Sequence, residues 1–273
     1  MRRQQSSTRR QTPTSRRRFG QHFLVDRSAI ARIVAGADLT SDLLVVEIGP
    51  GRGALTEALL DRGCRVVAIE IDRDLASALA AAHPDPPLHV IARDVLDVPL
   101  GAIGRDLLVV GNLPYNVSKP VAMKLCEERD AVARAVLMFQ REVAERLTAP
   151  CGTAAYGPLT VLAGLTFTIE RLFDLRPGAF RPPPEVTSTV TRWVRREDAI
   201  PEALVPALKT TLRMAFARRR QTLKKNLRAA LGASERETSG WLAEAGLDGT
   251  RRAEAIPPEG FVRLATVLPA LTL

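Results

Sequence analysis

The sequence has few of the residues from which metal centres and disulfide frameworks are built. Its three cysteines are widely spaced, and its three histidines show no metal-ligand spacing. No apolar stretch reaches the roughly 18 residues that a membrane helix requires. No apolar segment follows the arginine-rich N-terminus, as it would in a secretory signal. We therefore expect reduced thiols, no metal, no membrane association and a cytoplasmic location.

Acidic residues are outnumbered, and the basic excess is unevenly distributed. The 273 residues include 39 Lys and Arg against 30 Asp and Glu, which gives a formal net charge of +9. Residues 1–18 hold seven arginines without an acid, and residues 209–228 hold eight basic residues without an acid. Such clusters neutralise phosphates, although a merely solvated surface is the alternative. Together they favour a nucleic-acid partner.

Three segments of different character follow one another along the chain. Residues 1–17 have too few apolar groups to offset ordering entropy, so we expect a disordered basic tail. Residues 18–197 alternate strand and helix patterns, which predicts an α/β fold with a doubly wound parallel sheet, finished by antiparallel strands near 166–169 and 186–194. Residues 198–273 predict a small helical domain, with helices near 202–216, 219–231, 234–245 and 258–268.

A glycine loop at residues 47–53 follows the first strand of this sheet and opens a helix. Gly49 and Gly51 let the backbone approach a ligand at the free N–H groups of that helix. Glu70 lies 21 residues past Gly49, at the end of the next strand, where a carboxylate can accept both hydroxyls of a ribose. Asp94 follows the third strand, within reach of an adenine amine. These strand ends predict an adenosine-containing cofactor.

The loop's spacing and its first residue separate two classes of cofactor. The glycines read GxGxG, whereas dinucleotide sites have GxGxxG. Glu47 would oppose a pyrophosphate but would support the amino group of a cationic sulfonium cofactor. S-adenosylmethionine is therefore favoured over NAD, and a nicotinamide oxidoreductase stays an alternative.

The base motif, Asn112-Leu113-Pro114-Tyr115, comes directly after the buried strand at 107–111. The side-chain carbonyl of Asn112 and the backbone carbonyl of Leu113, restricted by Pro114, can accept the two hydrogens of an adenine amine. Tyr115 would stack on the base. The motif predicts methyl transfer to adenine N6 through positioning and hydrogen bonding, on a flipped or loop base. An Asn-capped turn with a packed tyrosine is the alternative.

Taken with these two sites, further motifs resemble those of the rRNA adenine N6-dimethyltransferases. The matching segments run in order from about residue 16 to residue 268. They are Gly20 to Leu24, Glu47 to Gly53, Asn112 to Ser118, Gln140 to Leu147, Ala155 to Gly157, Phe180 to Val186, Ala215 to Leu223 and Arg252 to Glu254. The resemblance implies a Rossmann-like class I methyltransferase sheet with helices on both faces, followed by a C-terminal helical domain that binds rRNA.

The resemblance also implies roles for individual residues. Cofactor contacts fall on His22, Leu24, Gly49, Glu70, Asp94 and Asn112. His22 stands where the family often has asparagine, and a structural histidine is the alternative. Phe180 is implied as a second aromatic wall for the target base, with packing under the proline turn as the alternative. The rRNA phosphates would be gripped by Arg218, Arg219, Arg220, Lys224 and Lys225.

Two branches of the family share this core. The housekeeping (KsgA) branch dimethylates two adjacent adenosines in the 3′-terminal hairpin loop of 16S rRNA, and the Erm branch methylates a 23S rRNA adenine. The segment 116–118, Tyr156, the triple proline 182–184 and the stretch 218–223 are similar to the housekeeping branch. The arginine-rich tail is more typical of some Erm enzymes. We expect a monomer that acts on 16S rRNA within a 30S precursor, with Erm activity or a non-catalytic ribosome-assembly factor as alternatives.

Overall fold

The computed structural model describes residues 21–40 and 43–269. The tail that the sequence predicts to be disordered, residues 1–17, lies outside these ranges. Among the described residues, no helix is both long and apolar enough to cross a membrane.

A seven-stranded sheet forms the centre of the molecule. The described residues form nine strands, of which seven belong to this sheet and two form a separate pair. In chain order they are β1 (Phe23–Leu24), β2 (Leu44–Ile48), β3 (Arg65–Ile69), β4 (Leu88–Ile91), β5 (Leu107–Asn112), β6 (Val132–Gln140), β7 (Phe167–Leu175), β8 (Phe180–Arg181) and β9 (Ser188–Arg195). The sheet has the order β4-β3-β2-β5-β6-β9-β7, and β1 pairs separately with β8. Strands β2 to β6 are parallel, whereas β9 is antiparallel to both of its neighbours. The predicted α/β sheet with an antiparallel finish is confirmed.

The central strands are apolar on both faces because helices cover both faces. Along β2, Val45 and Val46 belong to different core clusters, and Leu108 and Val109 alternate in the same way along β5. Gly111 allows β5 to approach β2 closely, since a Cβ at this position would lie 2.9 Å from the Ile48 carbonyl oxygen. The end of β5 is therefore held directly against the end of β2.

The helices connect these strands and continue after the sheet. In chain order they are α1 (Arg27–Gly36), α2 (Ala54–Leu60), α3 (Arg73–Ala82), α4 (Leu100–Ile103), α5 (Ser118–Glu127), α6 (Arg141–Leu147), α7 (Pro158–Thr166), α8 (Val205–Ala215), α9 (Leu223–Leu231), α10 (Glu235–Glu244) and α11 (Pro258–Val267). Residues of α1 and α2 pack in one core cluster, and residues of α5, α7 and α8 pack in the other. This placement puts helices on both faces of the sheet, as predicted.

The structure adds the short helix α4 to the sequence-based expectation, and it differs from that expectation at α7 and at the start of α9. The sequence predicts no element at α7, because its side chains are apolar almost all round and show no amphipathic period. The predicted helix at 219–231 begins only at Leu223, where the Thr222 side chain caps it by accepting from Lys225 N. Residues 219–222 are instead part of a loop that displays arginines.

The helices after residue 198 share a core with the sheet. Leu208 of α8 and Phe261 of α11 belong to the same cluster as Val109 of β5. Tyr156, which is 2% exposed, donates its hydroxyl hydrogen to the Ile256 carbonyl oxygen at 2.9 Å. The division of the chain into two domains at residue 198 stays a prediction. The contacts described here join the residues before that position to the residues after it.

Replacing Tyr156 with Phe is expected to lower the free energy of unfolding by about 1 to 2 kcal/mol, because the buried Ile256 carbonyl loses its partner. Urea denaturation of the full chain measures this change. Thr153→Ala, which removes an exposed hydrogen bond to the Pro150 carbonyl, is the control and should change stability less. An unchanged unfolding midpoint for Tyr156→Phe would show that the hydroxyl does not join the two parts.

Candidate active site

A pocket opens at the carboxyl ends of the parallel strands, on either side of the β2–β5 junction. It encloses about 1110 Å³ of empty space, including the solvent at its mouth. The structure brings together here the base motif and every residue expected to contact the cofactor: His22, Leu24, Gly49, Gly51, Glu70, Asp94 and Asn112. Their binding roles stay predictions, but their convergence on one pocket is an observation.

The glycine loop turns sharply beneath an aromatic ring. Gly49 and Gly51 have φ angles of +67° and +58°, in the left-handed region that favours glycine. A Cβ on Gly51 would lie 2.9 Å from the Phe23 ring, which leaves no room for a side chain. The Arg52 guanidinium carbon lies 4.9 Å from the centre of that ring. Phe23 therefore holds the loop from the side of β1.

Glu70 connects the end of β3 to the glycine loop. One carboxylate oxygen accepts from Gly51 N and the other from Asp72 N, both at 3.0 Å. Burial raises the pKa of Glu70, and the two backbone donors act against this rise. Each oxygen can accept a further hydrogen bond. The orientation suits a ribose diol at the pocket wall.

Glu47 is a buried acid at the floor of the same pocket, 1% exposed. Thr56 donates its hydroxyl hydrogen to Glu47 Oε2 at 2.6 Å. Burial is the main cause that raises the pKa of Glu47 to about 7, and the charge of Glu70 adds to the rise. Neither carboxylate forms an ion pair with a described residue. Two unneutralised acids suit a ligand that brings hydroxyls and a positive charge, and they disfavour a pyrophosphate.

Asp94 stands at the third strand end, beyond β4. Its Oδ1 accepts from Leu96 N at 2.9 Å and so caps the short turn that begins at Val95. This bond fixes the carboxylate and leaves Oδ2 available to accept from a ligand amine. Asp94 lies in the pocket lining together with Val95 and Ile71, which add apolar surface beside it.

The Asn112 amide is oriented by a contact from a distant part of the chain. Its Nδ2 donates to the His22 carbonyl oxygen at 2.8 Å, so Oδ1 is the atom left to accept from a substrate. The Pro114 carbonyl accepts from Val117 N and from the Ser118 hydroxyl, both at 3.1 Å. No described residue donates to the Leu113 carbonyl. The base motif thus presents two acceptors, Asn112 Oδ1 and the Leu113 carbonyl oxygen, and the polar groups beside them are held by hydrogen bonds.

Tyr115 is held at the mouth of the pocket. Its hydroxyl lies 3.1 Å from the Ser188 hydroxyl, and its ring centre is 5.6 Å from that of His22. Burial raises the pKa of Tyr115, so the phenol stays neutral, and stacking on a base stays a prediction. Nothing in the sequence pattern singles out Ser188, which comes from β9 and reaches the site only through the antiparallel register.

Phe180 is placed differently from the expectation of a second wall for the base. The ring is 1% exposed, belongs to the core cluster beneath β1 and β8, and does not line the pocket. This conformation corresponds to the alternative of packing under the proline turn. Contact with a base stays a prediction, and it would require the ring to become exposed.

The basic residues near the start of α9 divide into two groups. Arg218, Arg220 and Lys225 are exposed. Arg219 instead donates to the carbonyls of residues 154 and 156, and Lys224 pairs with a glutamate of α10 at 2.7 Å. The first group is available to phosphates, whereas in the second group Arg219 holds the loop against residues 154 and 156 and Lys224 joins α9 to α10. Binding of rRNA by all five stays a prediction.

The strand order, the antiparallel β9 and the glycine loop at the end of β2 define a Rossmann-like class I methyltransferase. The family model of ribosomal RNA adenine dimethylases matches residues 13–269. The chain belongs to this family.

Individual relatives cover nearly the whole chain. The ribosomal RNA small subunit methyltransferase A of Bordetella petrii is 41% identical over 260 residues, which cover 93% of this chain and 95% of the relative. The protein of the same name from Rhodospirillum rubrum is 42% identical and covers 94% and 88%. Among solved structures, a dimethyladenosine transferase from Plasmodium falciparum has a TM-score of 0.73 at 26% identity over 89% of this chain and 96% of that one. The 23S rRNA methyltransferase ErmE has a TM-score of 0.65 at 29% identity and covers 90% and 99%.

Glu47 should make the stability of the ligand-free protein depend on pH. The carboxyl ionises near its ordinary value of 4.5 when unfolded and near 7 when folded. Burial favours the neutral carboxyl, so its contribution to the stability of the folded state is complete below pH 4.5 and is lost as the pH rises through 7 and the group ionises. Glu47→Gln should raise the free energy of unfolding by about 3 kcal/mol at about pH 8 and leave it nearly unchanged at about pH 4. Denaturant titrations at the two pH values measure this difference, and equal effects at both would contradict it.

Proposed function

We propose that this protein transfers methyl groups from S-adenosylmethionine to N6 of two adjacent adenosines in the 3′-terminal hairpin loop of 16S rRNA, within a 30S precursor. The observation that carries the proposal is the Asn112 amide, whose Oδ1 faces no partner while its Nδ2 is fixed, at the same sheet edge as the glycine loop. We further propose that the enzyme acts as a monomer.

The residues around the pocket fit S-adenosylmethionine. Glu70 would hold the ribose hydroxyls, Asp94 the adenine amine, and Glu47 the amino group, either directly or through water. The loop backbone at Gly49 is open to the ligand, whereas the missing side chain at Gly51 makes room for the Phe23 ring. When bound, the cofactor supplies an electrophilic methyl group. The buried acids fit this cation better than they fit the diphosphate of NAD.

The base motif supplies the chemistry on the acceptor side. The lone pair of adenine N6 is conjugated with the ring, which makes the amine a poor nucleophile. Asn112 Oδ1 and the Leu113 carbonyl accept its two hydrogens and turn the lone pair towards the methyl group. Tyr115 stacks on the base and limits its rotation. With the methyl group added, N6 would carry a positive charge and would lose one of its own two hydrogens to solvent as a proton, so no residue has to act as a strong base.

The relatives favour the small subunit as the source of the substrate. The proteins at 41% and 42% identity carry the small-subunit name, whereas the Erm structure is 29% identical. An Erm-type activity on 23S rRNA is the second candidate, supported by that structural likeness. A factor without catalysis is disfavoured, because the acidic strand ends and the base motif converge on one pocket.

The rRNA of a strain lacking the gene tests the proposal. Mass spectrometry of 16S and 23S fragments should show unmethylated adenosines in the 16S terminal hairpin and unchanged 23S modification. Restored dimethylation by the purified protein and S-adenosylmethionine on precursor 30S particles completes the test. Two dimethylated adenosines in the deletion strain would refute the function, and a change confined to 23S rRNA would establish the Erm candidate.

Asn112→Ala should slow methyl transfer by at least about a hundredfold, because one of the two acceptors for the N6 hydrogens is lost. Binding to 30S precursors should be retained, since the exposed basic residues lie elsewhere. Single-turnover transfer of labelled methyl groups and sedimentation with 30S particles measure the two properties. Methylation at the normal rate would exclude Asn112 from the reaction, and loss of both properties would show that it has a structural role.

Binding of S-adenosylmethionine near pH 7 should release protons, because a cationic amino group close to Glu47 lowers the raised pKa of that carboxyl. Calorimetry in two buffers of different ionisation enthalpy measures the release. Glu47→Gln is the matched control and should abolish the buffer dependence. Release of the same size from both proteins would place the proton on another group.

A further inference from the structure

The segment that begins at His22 connects the base motif to the turn after β8. The His22 carbonyl oxygen accepts from Asn112 Nδ2 at 2.8 Å, and His22 Nδ1 lies 2.9 Å from the Pro182 carbonyl oxygen. The next residue, Phe23, starts β1 and lies opposite Arg181 of β8. The backbone at His22 is therefore held by its own ring on one side, and it holds the Asn112 amide on the other.

The contact with Pro182 defines where the His22 ring carries hydrogen. A carbonyl oxygen only accepts, so Nδ1 must be the donor. The neutral Nδ1–H tautomer and the imidazolium both satisfy this requirement. The ring can therefore hold the His22 backbone in either protonation state.

The orientation of the Asn112 amide decides whether the site accepts an amine. The two ends of an amide group have nearly the same shape, and only the hydrogen-bond partners distinguish them. If the Asn112 amide were reversed, its NH₂ would face the NH₂ of adenine, donor against donor. The His22 carbonyl opposes this reversal because it would then face Oδ1, acceptor against acceptor.

We propose that the His22 side chain is a positioning residue for methyl transfer: its bond to Pro182 fixes the His22 carbonyl, and that carbonyl fixes the Asn112 amide with Oδ1 towards the substrate. This role is additional to any contact between His22 and the cofactor. It rests on the proposed N6 methylation.

Two substitutions separate the hydrogen bond from the packing of the ring. His22→Phe keeps a ring beside Tyr115 but cannot donate to Pro182. His22→Asn removes the ring but restores a donor, since Asn Nδ2 is as many bonds from the backbone as His Nδ1. The measured quantity is the single-turnover rate on precursor 30S particles at saturating S-adenosylmethionine, with the melting temperature and the Kd for the particle measured alongside.

His22→Phe is expected to lower the rate by about ten- to a hundredfold through misplacement of the amide, with little change in the Kd for the particle. His22→Asn is expected to stay within about threefold of the original protein. The matched control is His89→Ala, an exposed histidine on β4, which should leave the rate unchanged. A role that is merely structural would follow the melting temperature and would not be rescued by asparagine.

Other patterns overturn the inference. Slow transfer by both His22 variants would mean that the ring itself is required, and normal transfer by both would mean that the bond to Pro182 is dispensable. Normal transfer by His22→Phe with slow transfer by His22→Asn would assign the role to ring packing. An original protein that does not methylate 16S rRNA refutes the proposed function itself and is recognised before any variant is compared.

Discussion

β2 and β5 lie side by side at the centre of the sheet, with Ile48 opposite Gly111, and the site depends on this junction. From β2 the chain continues to β3 and β4 on one side of the junction, and from β5 it continues to β6 on the other side. Because the two crossovers leave in opposite directions, a crevice opens between them. Gly111 lets the two backbones come close, and no larger residue fits there without displacing the Ile48 carbonyl. The glycine loop and the base motif therefore begin from neighbouring strand ends.

The electrostatics of the crevice follow from that placement. Glu47 lies one residue before the end of β2 and Glu70 directly follows β3, and each accepts hydrogen bonds without a cationic partner among the described residues. The two carboxyl groups are therefore costly to ionise in the absence of a positively charged ligand. Positioning groups line the opposite side, where Asn112 and Tyr115 are each held by one polar contact. Under the proposed function, the ends of β2 and β3 would select the cofactor and the end of β5 would orient the base.

Much of this arrangement follows from the sequence because it is encoded locally. Glu70 and Asn112 each stand directly after an apolar run, Asp94 follows three residues after the next one, and a parallel sheet brings such strand ends to one edge. The helix α7 escapes prediction because a largely buried, apolar helix has no polar face to mark its period. The bond from Asn112 to the His22 carbonyl joins residues 90 positions apart, through a backbone atom that every residue possesses. The burial of Phe180 likewise depends on the pairing of two-residue strands, which leaves no pattern in the sequence.

The central claim is that the base motif binds adenine through its amine. A crystal structure of the protein with S-adenosylhomocysteine and an RNA hairpin that carries the target adenosines tests it most directly. The account predicts that N6 lies within hydrogen-bond distance of Asn112 Oδ1 and of the Leu113 carbonyl oxygen, with Asn112 Nδ2 still donating to the His22 carbonyl. An adenine whose N6 points away from these oxygens, or an Asn112 amide reversed relative to His22, would contradict it.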